Sequence, residues 1–265
     1  ILTIRRTYWK TAVKELLWIW QKKSNNIHDL DAKIWDQWAD ENGTIGKAYG
    51  YQLGVKYKFP HGEMDQVDNV LWQLKHTPAS RRIMTNIYVH QDLHEMNLYP
   101  CAYSMTFNVT GNKLNAILNQ RSQDMLAANN WNVVQYAVLV HMIAQVSNMN
   151  VGELMHVIAD AHIYDRHIPM IEELISREPL PAPKFWINPE IKDFYDCVQR
   201  IASFWNCGVE EDGEKAELNV FLSGLEAVKE NNDRMIIEMA EQVFMGEKDG
   251  SMIMPAAIWQ LAVGK

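Results

Sequence analysis

Long apolar runs, paired cysteines and an excess of basic residues are all missing from this sequence. No apolar stretch approaches the ~20 residues needed to span a bilayer, and no signal peptide is recognisable. The three cysteines lack paired spacing, which excludes a disulfide framework and favours a reducing, cytoplasmic compartment. Without a long apolar stretch no membrane partner is expected, and because 33 acidic residues outnumber 25 basic ones, nucleic acid is not expected as the main partner.

What is present is the composition of a globular protein. Of the 265 residues, 48% are hydrophobic and 22% are charged, which is enough to bury a sizeable core. The formal charge of −8 is uneven, because residues 197–265 hold 12 acids and 6 bases and leave 21 and 19 to residues 1–196. We therefore predict a domain of residues 1–196, which carries every motif for chemistry, and an unassigned acidic segment of residues 197–265. Apolar spacing predicts mostly helix in that segment, over residues 216–244.

Three segments of the first domain have the apolar spacing of helices. From Trp9 to Gln21 apolar residues recur at three and four positions, which predicts an amphipathic helix with Glu15 beside the apolar stripe. The segment Asp65–His76 follows the same pattern. Residues Asn132–Met149 are apolar on nearly every side, which predicts a central buried helix with Asn132 as its N-cap. From the residues alone, Glu15 has a simpler interpretation as a solvated charge at the helix edge.

Two predicted strands bring a cysteine and an arginine together. Residues Tyr103–Val109 alternate between apolar and smaller or polar side chains, and a turn at Gly111 leads into a second strand, Lys113–Leu118. This hairpin would place Cys101 next to Arg121. A thiol becomes a good nucleophile only when a nearby positive charge stabilises the thiolate. A single cysteine is, however, more often a small buried apolar residue.

Several side chains are suited to a phosphorylated base. Arg121 beside the Ser122 hydroxyl is a natural clamp for a phosphate dianion. The Asn132 amide can donate and accept at once, as reading the edge of a pyrimidine requires. Together with the cysteine, these residues suggest a nucleophile that works on a phosphorylated base.

Other candidate residues have simpler structural interpretations. Arg81 and Arg82 are adjacent, and such arginines usually face solvent or pair with carboxylates. Trp35 and Trp38 are three apart on one side of a helical turn, where core packing is the usual role. His162 has acidic and histidine neighbours, but their spacing does not fit zinc, so no metal site is predicted.

Five short motifs together resemble those of one enzyme family. They are Leu98-Tyr99-Pro100-Cys101, Gln120-Arg121-Ser122-x-Asp124, Glu15-Leu16-Leu17-Trp18, Ile34-Trp35-Asp36-Gln37-Trp38 and Gly46-x-x-Tyr49-Gly50-x-Gln52. On these residues the chain resembles thymidylate synthase from Ile1 to about Asp196. A sixth stretch, Asp160-Ala161-His162-Ile163-Tyr164, is similar to a further motif of that family. Residues 197–265 match nothing in it.

The resemblance implies an α+β fold in which a mixed sheet packs against helices. Two copies would pair through the sheet as a homodimer. Arg81 and Arg82, which lead into a predicted strand at Ile83–Val89, would cross the interface and hold the phosphate of the nucleotide bound by the partner subunit. The family has an arginine-bearing loop upstream of the strand that matches Ile1–Ile4, so we expect the sequence to be shortened at its N-terminus.

The resemblance also implies a reaction. This is the reductive methylation of dUMP to dTMP, with 5,10-methylenetetrahydrofolate as cosubstrate and without a metal. Cys101 would attack C6 of the uracil in covalent catalysis, and Arg121 would support its thiolate. Glu15 and Tyr49 would join a water network that removes a proton from the base.

Binding residues follow from the same resemblance. The nucleotide would contact Arg81, Arg82, Gln120, Arg121, Ser122, Asp124, Asn132, His162 and Tyr164. The folate would contact Trp35, Trp38 and Asp124. Relatives that act on dCMP carry aspartate at the position of Asn132, so the asparagine favours dUMP.

Two alternatives stay open at this stage. A dUMP or dCMP hydroxymethylase of the same superfamily would share every nucleotide contact and would let water capture the exocyclic methylene. A catalytically impaired nucleotide-binding remnant would keep the fold, while its altered termini would leave the site incomplete.

Overall fold

The computed structural model describes residues 3–5, 7–182, 184–195, 207–211 and 214–215. The chain divides into two compact units, Ile1–Pro181 with Pro189–Val198 and Ala182–Asn188 with Gln199–Lys265. The helix predicted over residues 216–244 lies outside the described residues. The domain boundary predicted near residue 196 stays a prediction.

Five α-helices lie among the described residues. They are α1 at Trp9–Trp20, α2 at Gly50–Gly54, α3 at Gln66–His76, α4 at Asn129–Val146 and α5 at Ile168–Ile175. In addition, 3₁₀ turns cover Ile27–Asp29, Lys33–Trp38, His90–Glu95 and Asp165–His167. The Asp65 side chain accepts the Asp68 N–H and caps the start of α3. The helices predicted at Trp9–Gln21 and Asp65–His76 are confirmed to within a residue at each end.

Strands form where side chains alternate. They are β1 at Tyr57–Phe59, β2 at Gly62–Met64, β3 at Met84–Asn86, β4 at Ala102–Thr110, β5 at Lys113–Gln120, β6 at Gln123–Asp124, β7 at Asn150–Ile158, β8 at Ala161–His162, β9 at Lys184–Ile187, β10 at Cys207–Glu211 and β11 at Glu214–Lys215. The main sheet has the order β3-β4-β5-β7. Its first two pairings are antiparallel and the β5–β7 pairing is parallel. The sheet is therefore mixed, and the predicted α+β class is confirmed.

Helix α4 covers one face of the main sheet and forms the centre of the core. It packs against β5 and β7, and α1 packs on it in turn. Alternation along β5 buries Leu114 and Leu118 on this face. Leu139 and Ile143 of α4 have no exposed surface. The buried central helix predicted from its all-round apolar composition is confirmed.

The opposite face of the main sheet carries exposed apolar side chains. One row runs across all four strands, since Met84 pairs with Thr106, Thr106 with Ile117 and Ile117 with Met155. Met84, Ile117 and Met155 are all exposed, as is Val157 further along β7. An apolar sheet face of this kind is typical of an interaction surface.

Strand β4 contains a β-bulge close to Cys101. Ala102 pairs with Gln120, but the next pair joins Ser104 to Asn119, so Tyr103 is an additional residue in β4. Bulges of this kind bend a strand and re-aim the side chains beside it.

Some sequence expectations are wrong in detail. Helix α4 begins at Asn129 rather than Asn132, so Asn132 is not the N-cap. Asp124 organises the preceding turn by accepting two backbone N–H groups, which lets the helix start early. Strand β3 covers only Met84–Asn86 of the predicted Ile83–Val89, because the Asn86 side chain takes the Tyr88 N–H and ends it.

The second unit contains a small antiparallel sheet. β10 pairs with β9 and with β11, and the strand predicted at Lys184–Ile187 is confirmed. In the part of the chain that the structure describes, the helices are too short or too polar to span a membrane.

Candidate active site

The thiol of Cys101 lies beside the guanidinium of Arg121. Arg121 Nη2 is 3.7 Å from the sulfur, and the backbone N–H of Arg121 donates to the Cys101 carbonyl at 2.9 Å. Two further carbonyls hold the guanidinium, since Nε donates to Pro100 at 3.0 Å and Nη2 to Tyr99 at 2.9 Å. Cys101 precedes β4 and Arg121 follows β5, so strand pairing fixes the contact, as the hairpin predicts. A positive charge beside a thiol is a feature of nucleophilic cysteines.

Tyr49 contacts the same cysteine through its hydroxyl. The hydroxyl accepts the Cys101 backbone N–H at 3.2 Å. Tyr49 is buried and has a φ of 45°, a backbone conformation that non-glycine residues rarely adopt and that often marks a functional site. Burial, and after it the nearby Cys101, raises the pKa of Tyr49 well above its ordinary value. The hydroxyl therefore keeps its proton and can donate it to a hydrogen bond.

Glu15 is buried on α1 among neutral hydrogen-bond donors. Its Oε1 accepts the Trp35 Nε1–H at 2.5 Å, and its Oε2 accepts N–H groups from Trp131 and Gln135. Loss of hydration raises the pKa of Glu15, and the three hydrogen bonds lower it by less. A carboxyl with a raised pKa can exchange a proton closer to working pH. The interpretation of Glu15 as a solvated charge is therefore wrong.

Two of the three donors to Glu15 were not predicted. Trp131 and Gln135 lie four residues apart on α4, which places both on one face of that helix. Gln135 is 4% exposed and also donates to the Ala12 carbonyl at 3.1 Å. The available signal was an amide among the apolar residues of a helix predicted to be buried, since a buried amide needs polar partners.

The two predicted folate-contacting tryptophans lie together near Glu15. The ring centroids of Trp35 and Trp38 are 5.3 Å apart, and Trp35 is also 5.1 Å from Tyr49 and 5.9 Å from Trp18. Trp35 is buried, whereas Trp38 is half-buried. The pair therefore joins the core through Trp35 and reaches the surface through Trp38.

Gln120 and Asn132 are joined by their side chains. Gln120 Nε2 donates to Asn132 Oδ1 and to the Ser122 carbonyl, each at 3.1 Å, and it also contacts Gln123. Asn132 Nδ2 donates to Gln135 Oε1 at 3.1 Å. The structure thus connects Asn132, the amide predicted to read the base, to Gln135, which donates to Glu15.

Asp124 lies at the start of the turn that leads into α4. Its Oδ1 accepts the N–H groups of Leu126 and Ala127 at 2.9 and 3.0 Å, and the side chain is 17% exposed. Arg5 lies close enough for the Asp124 charge to act on it, although burial is the larger influence and lowers the pKa of Arg5. Arg5 also donates to Asn130 at 2.7 Å. Arg5 is a cation near the site that the sequence did not single out.

His162 and Tyr164 lie next to this turn. β8 pairs with β6 so that His162 faces Asp124 across the strands. His162 Nδ1 is 3.6 Å from an Asp160 oxygen, and its ring centroid is 5.1 Å from that of Tyr164. Tyr164 is exposed. The predicted sugar-binding pair is therefore held together at the surface.

Arg81 and Arg82 follow the end of α3 and are both exposed. Ser80 fixes their turn, because its hydroxyl accepts the Arg82 N–H at 3.2 Å and donates to Gln73 at 3.1 Å. Neither arginine contacts Cys101 or Arg121 within the described part of this chain. Across that same part, no cluster of three or more histidine, cysteine and acidic side chains is placed to hold a metal ion.

Comparison with known proteins gives a consistent result. The family model for thymidylate synthase matches residues 1–204. The thymidylate synthase of Bacillus subtilis subsp. natto is 50% identical over 200 residues, covering 74% of this chain and 72% of that protein. The thymidylate synthase of Bacillus atrophaeus is also 50% identical over 200 residues, covering 88% of its own length.

The fold gives the same result. The solved structure of thermostable thymidylate synthase A from Bacillus subtilis superposes with a TM-score of 0.71 at 48% identity, covering 73% of this chain and 71% of that one. The matched region contains Cys101, Arg121 and the carboxyl of Glu15. This chain therefore belongs to the thymidylate synthase family of methyltransferases.

Proposed function

We propose that this chain converts dUMP to dTMP with 5,10-methylenetetrahydrofolate, through covalent attack by Cys101. The observation that carries the proposal is the 3.7 Å contact between Cys101 Sγ and Arg121 Nη2. A guanidinium at this distance stabilises the thiolate, which is the nucleophilic form of cysteine. Relatives named thymidylate synthase support the choice of reaction.

The first step joins the Cys101 sulfur to C6 of the uracil ring. The electron pair of the C5–C6 double bond moves toward the C4 carbonyl, so C5 becomes nucleophilic. Arg121 holds the thiolate until the bond forms, and with Ser122 it binds the nucleotide phosphate. When bound, the folate supplies the one-carbon unit and the hydride that together make the new methyl group.

Glu15 and Tyr49 take part in removing the proton that C5 must then lose. Tyr49 lies next to the reacting cysteine, and its raised pKa keeps its hydroxyl available as a donor. The Glu15 carboxyl accepts the Trp35 indole N–H, and the Trp35 ring contacts Tyr49. Water between the two groups would carry the proton away from the base. This role requires a carboxyl whose pKa is raised, as that of Glu15 is.

Amide and ring groups position the nucleotide. Asn132 reads the uracil, since one amide can accept from the ring N3–H and donate to the O4 carbonyl. His162 and Tyr164 bind the sugar hydroxyl. Gln120 donates to Asn132 Oδ1 and so keeps that amide in place. Because cytosine offers the opposite donor and acceptor pattern, the asparagine favours dUMP.

The folate fits the side chains around Trp38. The half-buried Trp38 offers an aromatic surface beside Trp35, on which a flat pterin ring can stack. The Asp124 carboxylate is partly exposed and can accept N–H groups from such a ring. Trp35, Trp38 and Asp124 are therefore the residues that would hold the folate.

A homodimer would complete the phosphate site. The exposed row of Met84, Ile117 and Met155 is suited to pair with the same face of a second copy. Arg81 and Arg82 lie just before β3, at the edge strand of that sheet. From there they would reach the nucleotide phosphate of the partner subunit.

Covalent trapping tests the proposal. The parent protein is incubated with 5-fluoro-dUMP and the folate, and its mass is measured after denaturation. Fluorine at C5 cannot leave as a proton does, so the adduct should persist in the parent protein and be absent from Cys101→Ala. Cys207→Ala is the matched control and should form the adduct as the parent does.

The products separate the remaining possibilities. Dihydrofolate should accumulate in step with dTMP, because the folate is oxidised as it gives up the hydride. Tetrahydrofolate together with a hydroxymethyl nucleotide would instead show the hydroxymethylase reaction. Nucleotide binding without any adduct in the parent protein would contradict the proposal and show an impaired binding protein.

A further inference from the structure

A continuous chain of side-chain hydrogen bonds connects β7 to the buried carboxyl of α1. His156 Nε2 lies 2.8 Å from Gln120 Oε1, and Gln120 Nε2 donates to Asn132 Oδ1 at 3.1 Å. Asn132 Nδ2 then donates to Gln135 Oε1 at 3.1 Å, and Gln135 Nε2 donates to Glu15 Oε2 at 2.5 Å. Every bond runs in the same direction, from His156 towards Glu15.

Two backbone carbonyls show how the amides are oriented. A carbonyl oxygen only accepts, so any amide atom facing it must be the nitrogen. The Ser122 carbonyl faces the Gln120 amide, and the Ala12 carbonyl faces the Gln135 amide, each at 3.1 Å. Gln120 must therefore present its nitrogen to Asn132, and Gln135 must present its oxygen. Asn132 lies between them and has one permitted orientation.

His156 must be the donor in the first of these hydrogen bonds. With the nitrogen of Gln120 turned to Ser122, its oxygen faces His156. The ring nitrogen Nε2 must then carry a hydrogen. Burial lowers the pKa of His156, so the ring is neutral at neutral pH and its single N–H is committed to Gln120.

An inverted Asn132 amide would meet like atoms on both sides. Its nitrogen would face the nitrogen of Gln120, and its oxygen would face the oxygen of Gln135. Both neighbours are nearly fully buried, so water cannot relieve these contacts, and each unsatisfied group is costly. Cytosine would require that inverted amide, because its ring N3 accepts and its amino group donates, whereas uracil fits the amide as it stands.

We propose that His156 and Gln135 are positioning residues that hold Asn132 in the orientation that reads uracil and rejects cytosine. The inference rests on the proposed function of the site and goes beyond it, because it assigns the discrimination to neighbours of Asn132 as well as to Asn132 itself. Through Gln135 the same chain ends on Glu15. The orientation of the base-reading amide is thus coupled to the carboxyl that handles the proton.

Substitutions at His156 test the direction of this series of hydrogen bonds. His156→Gln can still donate to Gln120, His156→Leu removes the donor, and His156→Glu offers an acceptor in the shape of the glutamine variant. Dissociation constants for dUMP and dCMP, measured without folate, give the preference for uracil independently of turnover. We expect the glutamine variant to keep the parent preference and the leucine variant to lose it by roughly five- to tenfold. The glutamate variant should lose most.

The isosteric glutamine and glutamate pair separates a polar role from a packing role. A packing role predicts equal preferences in these two variants, and that result would overturn the inference. If the glutamate variant does not fold, as judged by circular dichroism, the glutamine and leucine pair gives the same decision. His141→Leu, which replaces a histidine outside the chain of amides, is the control and should keep the parent preference.

The protonated ring nitrogen gives a second, independent readout. Nitrogen NMR of the parent protein should show His156 with its hydrogen on Nε2, and a hydrogen on Nδ1 would overturn the inference. A parent protein that binds neither nucleotide overturns the proposed function and this inference together. A parent that prefers dUMP, with the same preference in every His156 variant, overturns this inference alone.

Discussion

Two buried carboxylates, Glu15 and Asp65, have different kinds of hydrogen-bond partner and opposite shifts in pKa. Glu15 is 7% exposed and Asp65 is 1% exposed. Among the residues that the structure describes, the partners of Glu15 are neutral groups, namely two indoles and an amide. Asp65 accepts from the ammonium groups of Lys23 and Lys56 at 2.6 and 2.7 Å. Both side chains have little exposed surface, and they differ in that Asp65 has two cationic partners and a backbone N–H donor.

The contrast is visible in the pKa of each group. Burial raises the pKa of Glu15, and its neutral donors do not offset that effect. Burial also acts to raise the pKa of Asp65, but the Asp68 N–H and the two lysines outweigh it and leave the pKa lowered. Asp65 is thus a structural group at the start of α3 that is charged at neutral pH. Glu15 is kept ready to gain or lose a proton.

Removing the acid function of Glu15 should have the largest effect. Glu15→Gln should lower kcat for dTMP formation by roughly 10²- to 10⁴-fold, the usual contribution of a positioned acid or base. Steady-state kinetics with dUMP and folate measure it, and urea unfolding shows whether the variant stays folded. A folded variant with parent kcat would break the comparison, because Glu15 would then be a structural group like Asp65.

Neutralising Asp65 should cost stability and leave catalysis intact. Asp65→Asn keeps the helix cap, since asparagine caps as well as aspartate, and removes only the charge. Two lysines lose their buried partner, so the free energy of unfolding should fall by about 3 kcal/mol. Denaturant unfolding measures the loss, and kcat per folded molecule should be unchanged. A large fall in kcat would contradict the assignment of Asp65 to structure alone.

The two lysines should contribute unequally. Lys23 is 14% exposed and also donates to the Tyr195 hydroxyl at 2.5 Å, whereas Lys56 is 53% exposed. Lys23→Met should destabilise by about 2 kcal/mol, as for a hydrogen bond to a charged group. Lys56→Met should cost less than about 1 kcal/mol, because solvent screens an exposed pair. Equal losses in urea unfolding would show that burial does not control the strength of these pairs.

The smallest expected effect is a difference in pH dependence. The pKa of Glu15 is raised in the folded state, so its contribution is present below the ordinary glutamate pKa of 4.5 and is lost as pH rises through the folded value. The pKa of Asp65 is lowered, so its contribution is present above the ordinary aspartate pKa of 3.8 and is lost as pH falls through the folded value. Stability of the parent relative to Glu15→Gln should fall with rising pH. Relative to Asp65→Asn it should fall with falling pH. Unfolding measured across pH would contradict the comparison if both differences had the same sign.

Local patterns explain why part of the fold was predictable. Helices α1 and α3 follow from apolar residues at three and four positions, and β4 and β5 follow from alternation around one turn. The contact between Cys101 and Arg121 was predictable for the same reason, since a single hairpin determines it. Each of these features depends on residues within one short stretch of chain.

Contacts between distant segments explain what was not predictable. Gln135 and Glu15 are 120 positions apart, and they meet because α1 packs on α4. Nothing near Gln135 in the sequence indicates that its partner is a carboxyl. The positive φ of Tyr49 and the true start of α4 likewise depend on packing and on side-chain hydrogen bonds. The pairing of two copies through the sheet stays a prediction.

The additional residue at Tyr103 is absorbed within β4. Ala102 lies opposite Gln120 and Ser104 lies opposite Asn119, so a chain without Tyr103 would keep both pairs in a regular ladder. Cys101 would then stay next to Arg121, and the bend and extra twist that a bulge adds to the strand would be lost. The bulge therefore adjusts the angle at which the thiol meets its guanidinium partner, and a one-residue deletion here would alter that angle without unpairing the hairpin.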